Sequence, residues 1–176
     1  MSKIIAIMLL LCCGMMLFGC ADDNGRRKAE QQKTIVVTDS VGRKVELPYP
    51  LERVAVCNVY NAELITAVGA IDKIVGVDNY IFKDQSGFKN RFNEAQVFGI
   101  SQNAMNYEKL AELAPQAVII TGEGTWRDAQ EMLDRFGIKV IVINSYYTDQ
   151  FADNCRLIGR IFGREEQAEE LVNYFN

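Results

Sequence analysis

The chain has 176 residues, with 19 lysines and arginines, 23 aspartates and glutamates, no histidine, and a formal net charge of −4. Without imidazole there is no histidine general base and no imidazole-ligated zinc or manganese site, which leaves cysteine and carboxylate as the only candidate metal ligands. The acidic balance does not suggest a surface for nucleic acid or anionic lipid.

The first element is apolar. Ile4 to Phe18 is a run of 15 uncharged residues behind one cation, Lys3. A helix that crosses a bilayer needs about 20 apolar residues, and the short run with its N-terminal cation has the layout of a secretory signal peptide. Leu17-Phe18-Gly19-Cys20 resembles the bacterial lipobox, where a peptidase cuts before the cysteine and the thiol is acylated. Residues 1–19 are therefore expected to be a lipoprotein signal peptide and Cys20 the lipidated first residue of the mature chain. Ala21 to Lys33 has no large apolar side chain, so 20–33 is read as a flexible tether. Cys57 and Cys155 remain. Spacing alone does not place them within bonding distance, and two buried, unpaired thiols are the expectation.

Thr34 to Thr38 is apolar and β-branched, Asp39 to Gly42 is turn material, and Lys44 to Leu47 alternates, which predicts a hairpin ending at Pro48 and Pro50. Five short apolar runs follow: 53–57, 73–77, 96–99, 117–120 and 139–143. Helical spacing lies between them at 62–69, at 106–113 and from about Thr125 to Phe136. Apolar strands alternating with amphipathic helices predict parallel βα units. The fold class is α/β, a three-layer α/β/α domain with a mainly parallel sheet, an N-terminal β-hairpin and C-terminal helices. One amphipathic helix is marked by Phe151, Cys155, Ile158 and Phe162 and closes near Gly163. Another begins at Arg164, with Ala168, Leu171, Val172 and Phe175 on one stripe.

In open parallel sheets ligands lie outside the carboxyl ends of the strands. The loops expected there are 58–61, 78–80, 100–103, 122–127 and 144–147, and they carry Tyr60, Tyr80, Trp126, Tyr146 and Tyr147. A rim of aromatics and amides suits a large, flat, partly apolar ligand. Arg127 could pair with an anionic group or simply be a solvated helix-start arginine. Gly122-Glu123-Gly124 lacks both the GxGxxG spacing and the lysine of a phosphate loop.

Five segments coincide in order: VTDSVGRKVELPYPLERVAVC, ELITAVGAIDKIVGV, NYEKLAELAPQAVII, FGIKVIVI and DNCRLIGRIFGREEQAEELVNYF. Together they resemble the substrate-binding proteins of bacterial ABC importers for ferric siderophores, haem and cobalamin, over about Thr34 to Asn176. The resemblance implies two α/β lobes joined by a long helix, with ligand held between them. It sets 34–163 as the N-terminal lobe and 164–176 as the start of the inter-lobe helix, with no counterpart of the second lobe, so a fragment, a truncated product or half of a split gene is the expectation. Tyr60 and Tyr146, from the strand-end loops, and Tyr80, Trp126 and Arg127 are the candidate ligand-binding residues. The resemblance implies that role for Tyr80, which matches the spacing of an aromatic that lines the cobalamin site in similar proteins, and for Trp126 and Arg127, which fall near positions of ligand-facing aromatic or basic side chains. Glu108, in Asn-Tyr-Glu-Lys-Leu behind a potential Asn106 N-cap, matches the glutamate that pairs with permease arginines in that family; acidic placement near a helix dipole would explain the same residue.

With no histidine, no GxSxG and no prominent carboxylate pair, an enzyme is not expected, nor is any cofactor. The reading is a lipid-anchored, exported binding component on the outer face of the cytoplasmic membrane, with an ABC permease and an iron complex or corrinoid as partners and no nucleic acid. The alternative is a surface lipoprotein that binds a protein partner through the exposed face of the lobe.

Overall fold

The computed structural model of the protein describes residues 33–84 and 86–175. Residues 1–19, Cys20 and the tether as far as residue 32 lie outside the described residues. Strands β1 (Thr34–Thr38) and β2 (Lys44–Pro48) form the antiparallel hairpin, with Thr34 opposite Pro48 and Thr38 opposite Lys44. Then come β3 (Val54–Val56), α1 (Val59–Ala67), β4 (Ile74–Val77), α2 (Asn79–Lys83), α3 (Tyr107–Glu112), β5 (Ala117–Ile120), α4 (Trp126–Asp134), β6 (Lys139–Val142), α5 (Phe151–Phe162) and α6 (Glu165–Phe175). The second sheet is parallel, in the order β4-β3-β5-β6.

Side chains along a strand alternate between the two faces of the sheet, and here both faces are buried. Val54, Val56, Ile119 and Ile141 join one core, with Leu64 and Ile65 of α1, Ile158 of α5 and Val172 of α6. Ala55, Cys57, Ile120 and Val142 join the other, with Leu110 of α3 and Leu133 of α4. Cys57 therefore belongs to one layer and Cys155 to the other. Both thiols are free and buried.

The run at 96–99 does not become a fifth strand. Val97 makes an isolated parallel bridge to Val77, and Gly99 an antiparallel one to Met105. Two local features stop extension. Gln96 ends a 3₁₀ turn, Glu94–Gln96, closed by a capping box with Asn93. Gly99 packs so closely on the chain that a Cβ would meet the Ala104 carbonyl at 2.5 Å, so the backbone reverses there.

A charged pair fastens the hairpin to the sheet. The buried Asp39 carboxylate accepts from the backbone N–H of Arg43 at 2.9 Å and of Val142 at 3.3 Å, and forms an ion pair with Arg43 Nη2 at 2.6 Å. Arg43 also donates to the Val140 carbonyl at 3.1 Å and to Gln130 of α4.

At the other end α5 stops at Gly163, in left-handed conformation (φ 64°), and α6 turns back on it. Gly159 is the contact point, where an added Cβ would lie 2.5 Å from Ala168 Cβ and 2.9 Å from the Arg164 carbonyl. Gly159→Ala must push the two helices apart, and is expected to destabilise the protein by about 1–3 kcal/mol. A midpoint in thermal or urea unfolding equal to wild type would show that α6 is not held there.

Candidate functional site

Strand order reverses at β3, which has β4 on one side and β5 on the other. Chains leaving these strands therefore diverge and leave a crevice at their carboxyl ends. The crevice is a groove of about 690 Å³, within the range of small-molecule sites. Asn58, Tyr60 and Glu63 come from the β3–α1 connection and the first turns of α1, and Asp78 and Tyr80 from the end of β4 and α2. Ser101, Gln102 and Asn103 belong to one loop, and Thr121 and Glu123 follow β5.

Asp78 sets the geometry. It is 2% exposed. Its Oδ2 accepts from Asn58 N at 3.0 Å and its Oδ1 from Ile81 N at 2.9 Å, and the Tyr80 N–H also faces it. One carboxylate thus caps α2 and holds the start of the β3–α1 turn. Asn58 sits at φ 77°, a conformation that costs energy for a residue with a Cβ. Its side chain caps α1 by accepting from Tyr60 N at 2.9 Å. Burial raises the Asp78 pKa above the ordinary carboxylate value, against the backbone donors that lower it. The neighbouring Cys57 thiol is pushed well up by burial first and by Asp78 second, so it is held as the thiol.

On this frame Tyr60 and Tyr80 are 55% and 63% exposed. Gln102 ties the opposite side together. Its Oε1 accepts from Thr121 N at 2.9 Å and Thr121 Oγ1 at 2.8 Å, and its Nε2 donates to the Glu123 carbonyl. Asn144 Oδ1 accepts from Gly122 N at 2.6 Å and fixes the next turn. Tyr146 hydrogen-bonds with Tyr147 and Glu123; burial first, then these partners, raise its hydroxyl pKa strongly.

The residues singled out in the sequence thus separate. Tyr60 and Tyr80 line the groove, and Tyr146 reaches its edge through Glu123. Trp126 and Arg127 do not line it. The Trp126 ring is 9% exposed and lies between two guanidinium groups, Arg43 at 4.3 Å and Arg127 at 4.1 Å. These three border a different hollow with Gln130, Glu131 and Asp134. Glu108 is exposed in the first turn of α3, whose N-cap Asn106 accepts from Lys109 N at 2.9 Å. Cys20 lies outside the described residues. Sequence reasoning missed Asp78 and Glu63 as individual residues. Their signals were an aspartate at a strand end, where an N-cap belongs, and a carboxylate one helical turn after Tyr60.

A family model described as periplasmic binding protein matches residues 54–176. No curated protein matches. Among solved structures, a periplasmic solute binding protein from Veillonella parvula is similar, with 27% identity and a TM-score of 0.66 over 81% of this chain and 45% of that one. The petrobactin-binding protein YclQ from Bacillus subtilis has 19% identity and a TM-score of 0.66, over 80% of this chain and 50% of its own. The Haemophilus influenzae protein MolA, bound to molybdate, has 21% identity and a TM-score of 0.68, over 78% and 49%. The last two likenesses are of fold alone. This chain spans half or less of each of these three structures.

The Asp78 network predicts its own test. Asp78→Ala leaves backbone donors of two loops unpaired and is expected to cost about 2–3 kcal/mol of stability, with Asp78→Asn in between. The folded pKa is raised, so the carboxyl's contribution is full below the ordinary value of 3.8 and is lost as pH rises through the folded value. The stability difference between wild type and Asp78→Asn should therefore be largest in acid and fall with rising pH. A difference that grows with pH would mean that the carboxylate is stabilised by charge rather than penalised by burial.

Proposed function

The chain belongs to the periplasmic binding protein family, and on that premise we propose that it is the lipid-anchored substrate-binding component of an ABC importer. The proposed cargo is an iron complex, either a ferric siderophore or haem, or a corrinoid. The family consists of solute-binding proteins rather than enzymes. The observation that carries the ligand reading is the pair Tyr60 and Tyr80, two largely exposed rings on one 690 Å³ groove at the strand ends. Single exposed aromatics are ordinary, but two on one concave site offer flat apolar faces to a flat ligand. The named cargoes of the fold relatives, petrobactin and molybdate, differ in kind. Fold alone does not choose between them, and the tyrosine-lined groove favours the organic chelate.

The remaining parts of the proposal follow from the sequence. Glu108, exposed on α3, docks to arginines of the permease. Helix α6 is the start of the connection to a second lobe. Cys20 carries the lipid that holds an exported protein to the outer face of the cytoplasmic membrane. Among the described residues no helix is long and apolar enough to cross a membrane.

Titration of the 176-residue chain with a ferric siderophore, haem and a corrinoid tests the reading. One lobe covers one face of a ligand, so the expected Kd is on the order of micromolar. Tyr80→Ala should weaken it about two- to tenfold. In uptake measured with the second lobe supplied, Glu108→Ala should lower transport while leaving ligand affinity and unfolding midpoint as in wild type. Absence of binding to all three ligand classes would discard the transport reading in favour of a lipoprotein that binds a protein partner. The anchor is read by mass spectrometry of the mature N-terminus: an acylated Cys20 is expected, and an unmodified one removes the anchor.

A further inference from the structure

Resting on that reading of the groove, we propose that it selects cargo by charge. It accepts iron complexes or corrinoids that are neutral or carry a cationic group, and disfavours anionic ones such as catecholate complexes or haem with its propionates. The cation would sit against the Tyr60 and Tyr80 rings and the Glu63 and Glu123 carboxylates.

Three observations converge. The ionisable acids lining the groove are Glu63, Asp78 and Glu123, and none of its described lining residues is lysine or arginine. Asp78 is buried and occupied by backbone donors, whereas Glu63 and Glu123 are exposed, and among the described residues neither has an ion-pair partner. Their field acts on whatever enters the groove, weakened by solvent but not cancelled by a neighbouring cation.

The nearby cations belong elsewhere. Arg43 and Arg127 stack on Trp126 over the separate hollow. Lys83 and Lys109 line a third one, and Lys109 pairs with Glu112 at 3.3 Å. Arg127, the residue that would have received a carboxylate or catecholate, is not on the groove.

The third observation concerns backbone donors. An anion often binds at helix N-termini through free N–H groups. Three amides at the starts of α1 and α2 are taken by the chain's own side chains: Tyr60 N by Asn58, and Asn58 N and Ile81 N by Asp78. Gln102 Oε1 and Nε2 are also engaged. Those three amides are closed to an anion, whereas two exposed tyrosines and two exposed carboxylates on one groove suit an ammonium group through cation–π and charge attraction.

The test uses three ferric chelates with one hydroxamate core: ferric desferrioxamine B with its protonated amine, the N-acetyl derivative, which is neutral, and the N-succinyl derivative, which ends in a carboxylate. Titrated into the full 176-residue chain at low ionic strength, affinity should fall in that order, by about tenfold between the ends, and the spread should shrink at about 0.5 M salt. In Glu63→Gln/Glu123→Gln the three Kd values should converge to within about twofold, and Glu63→Gln alone should give a partial effect. Equal affinities in wild type, or tightest binding of the succinyl complex, overturn the proposal. So does binding of haem or a catecholate complex when none of the three hydroxamates binds, which leaves the transport reading intact. Failure of every iron complex and corrinoid to bind removes both.

Discussion

The groove depends on one buried carboxylate. Taking Asp78 out of water is unfavourable, and the backbone N–H groups that donate to it from two loops offset part of that cost. In return it fixes where β4 gives way to α2 and where β3 gives way to α1. Asn58 can then hold a left-handed backbone and cap α1. Tyr60 and Tyr80 are the second residue of each helix that begins there, so the placement of both rings follows from one side chain.

The same division recurs at the hairpin. The two apolar cores hold the layers together, and alternation along β3, β5 and β6 makes that part insensitive to fine geometry. Position along the strands needs directional bonds. Asp39 and Arg43 supply them between the hairpin, β6 and α4. Arg43 also covers one face of Trp126, which joins the hairpin to the second core. Burial thus sets the layers, and buried carboxylates set the register of the loops on top of them.

This division explains what was legible in the sequence. The apolar runs at 53–57, 73–77, 117–120 and 139–143 and the helical spacing between them announced the βα order, because burial on both faces and an amphipathic stripe are local signals. The run at 96–99, with only Val97 and Phe98 apolar, did not extend: the capping box before it and the tight approach at Gly99 decided its shape. Tyr60 and Tyr80 line one groove because each follows its strand directly. Trp126 borders a different hollow, where its ring packs against Arg43, a hairpin residue 83 positions earlier in the chain. No local pattern around Trp126 carries that information. Asp78 was passed over within a loop because its importance lies in a partner, Asn58, on a different connection.

Shared architecture does not settle what a crevice of this kind holds. Its location comes from strand order, which any chain with this topology inherits. One difference between such crevices is whether the helix starts that open onto them keep free N–H groups. A start with free amides presents partial positive charge. Here Asn58 and Asp78 take three of those donors, and the side chains on the crevice include two exposed tyrosines and two exposed carboxylates. The residue that organises the groove therefore also bears on its charge: the bonds by which Asp78 fixes the starts of both helices occupy amides that are then closed to an anion.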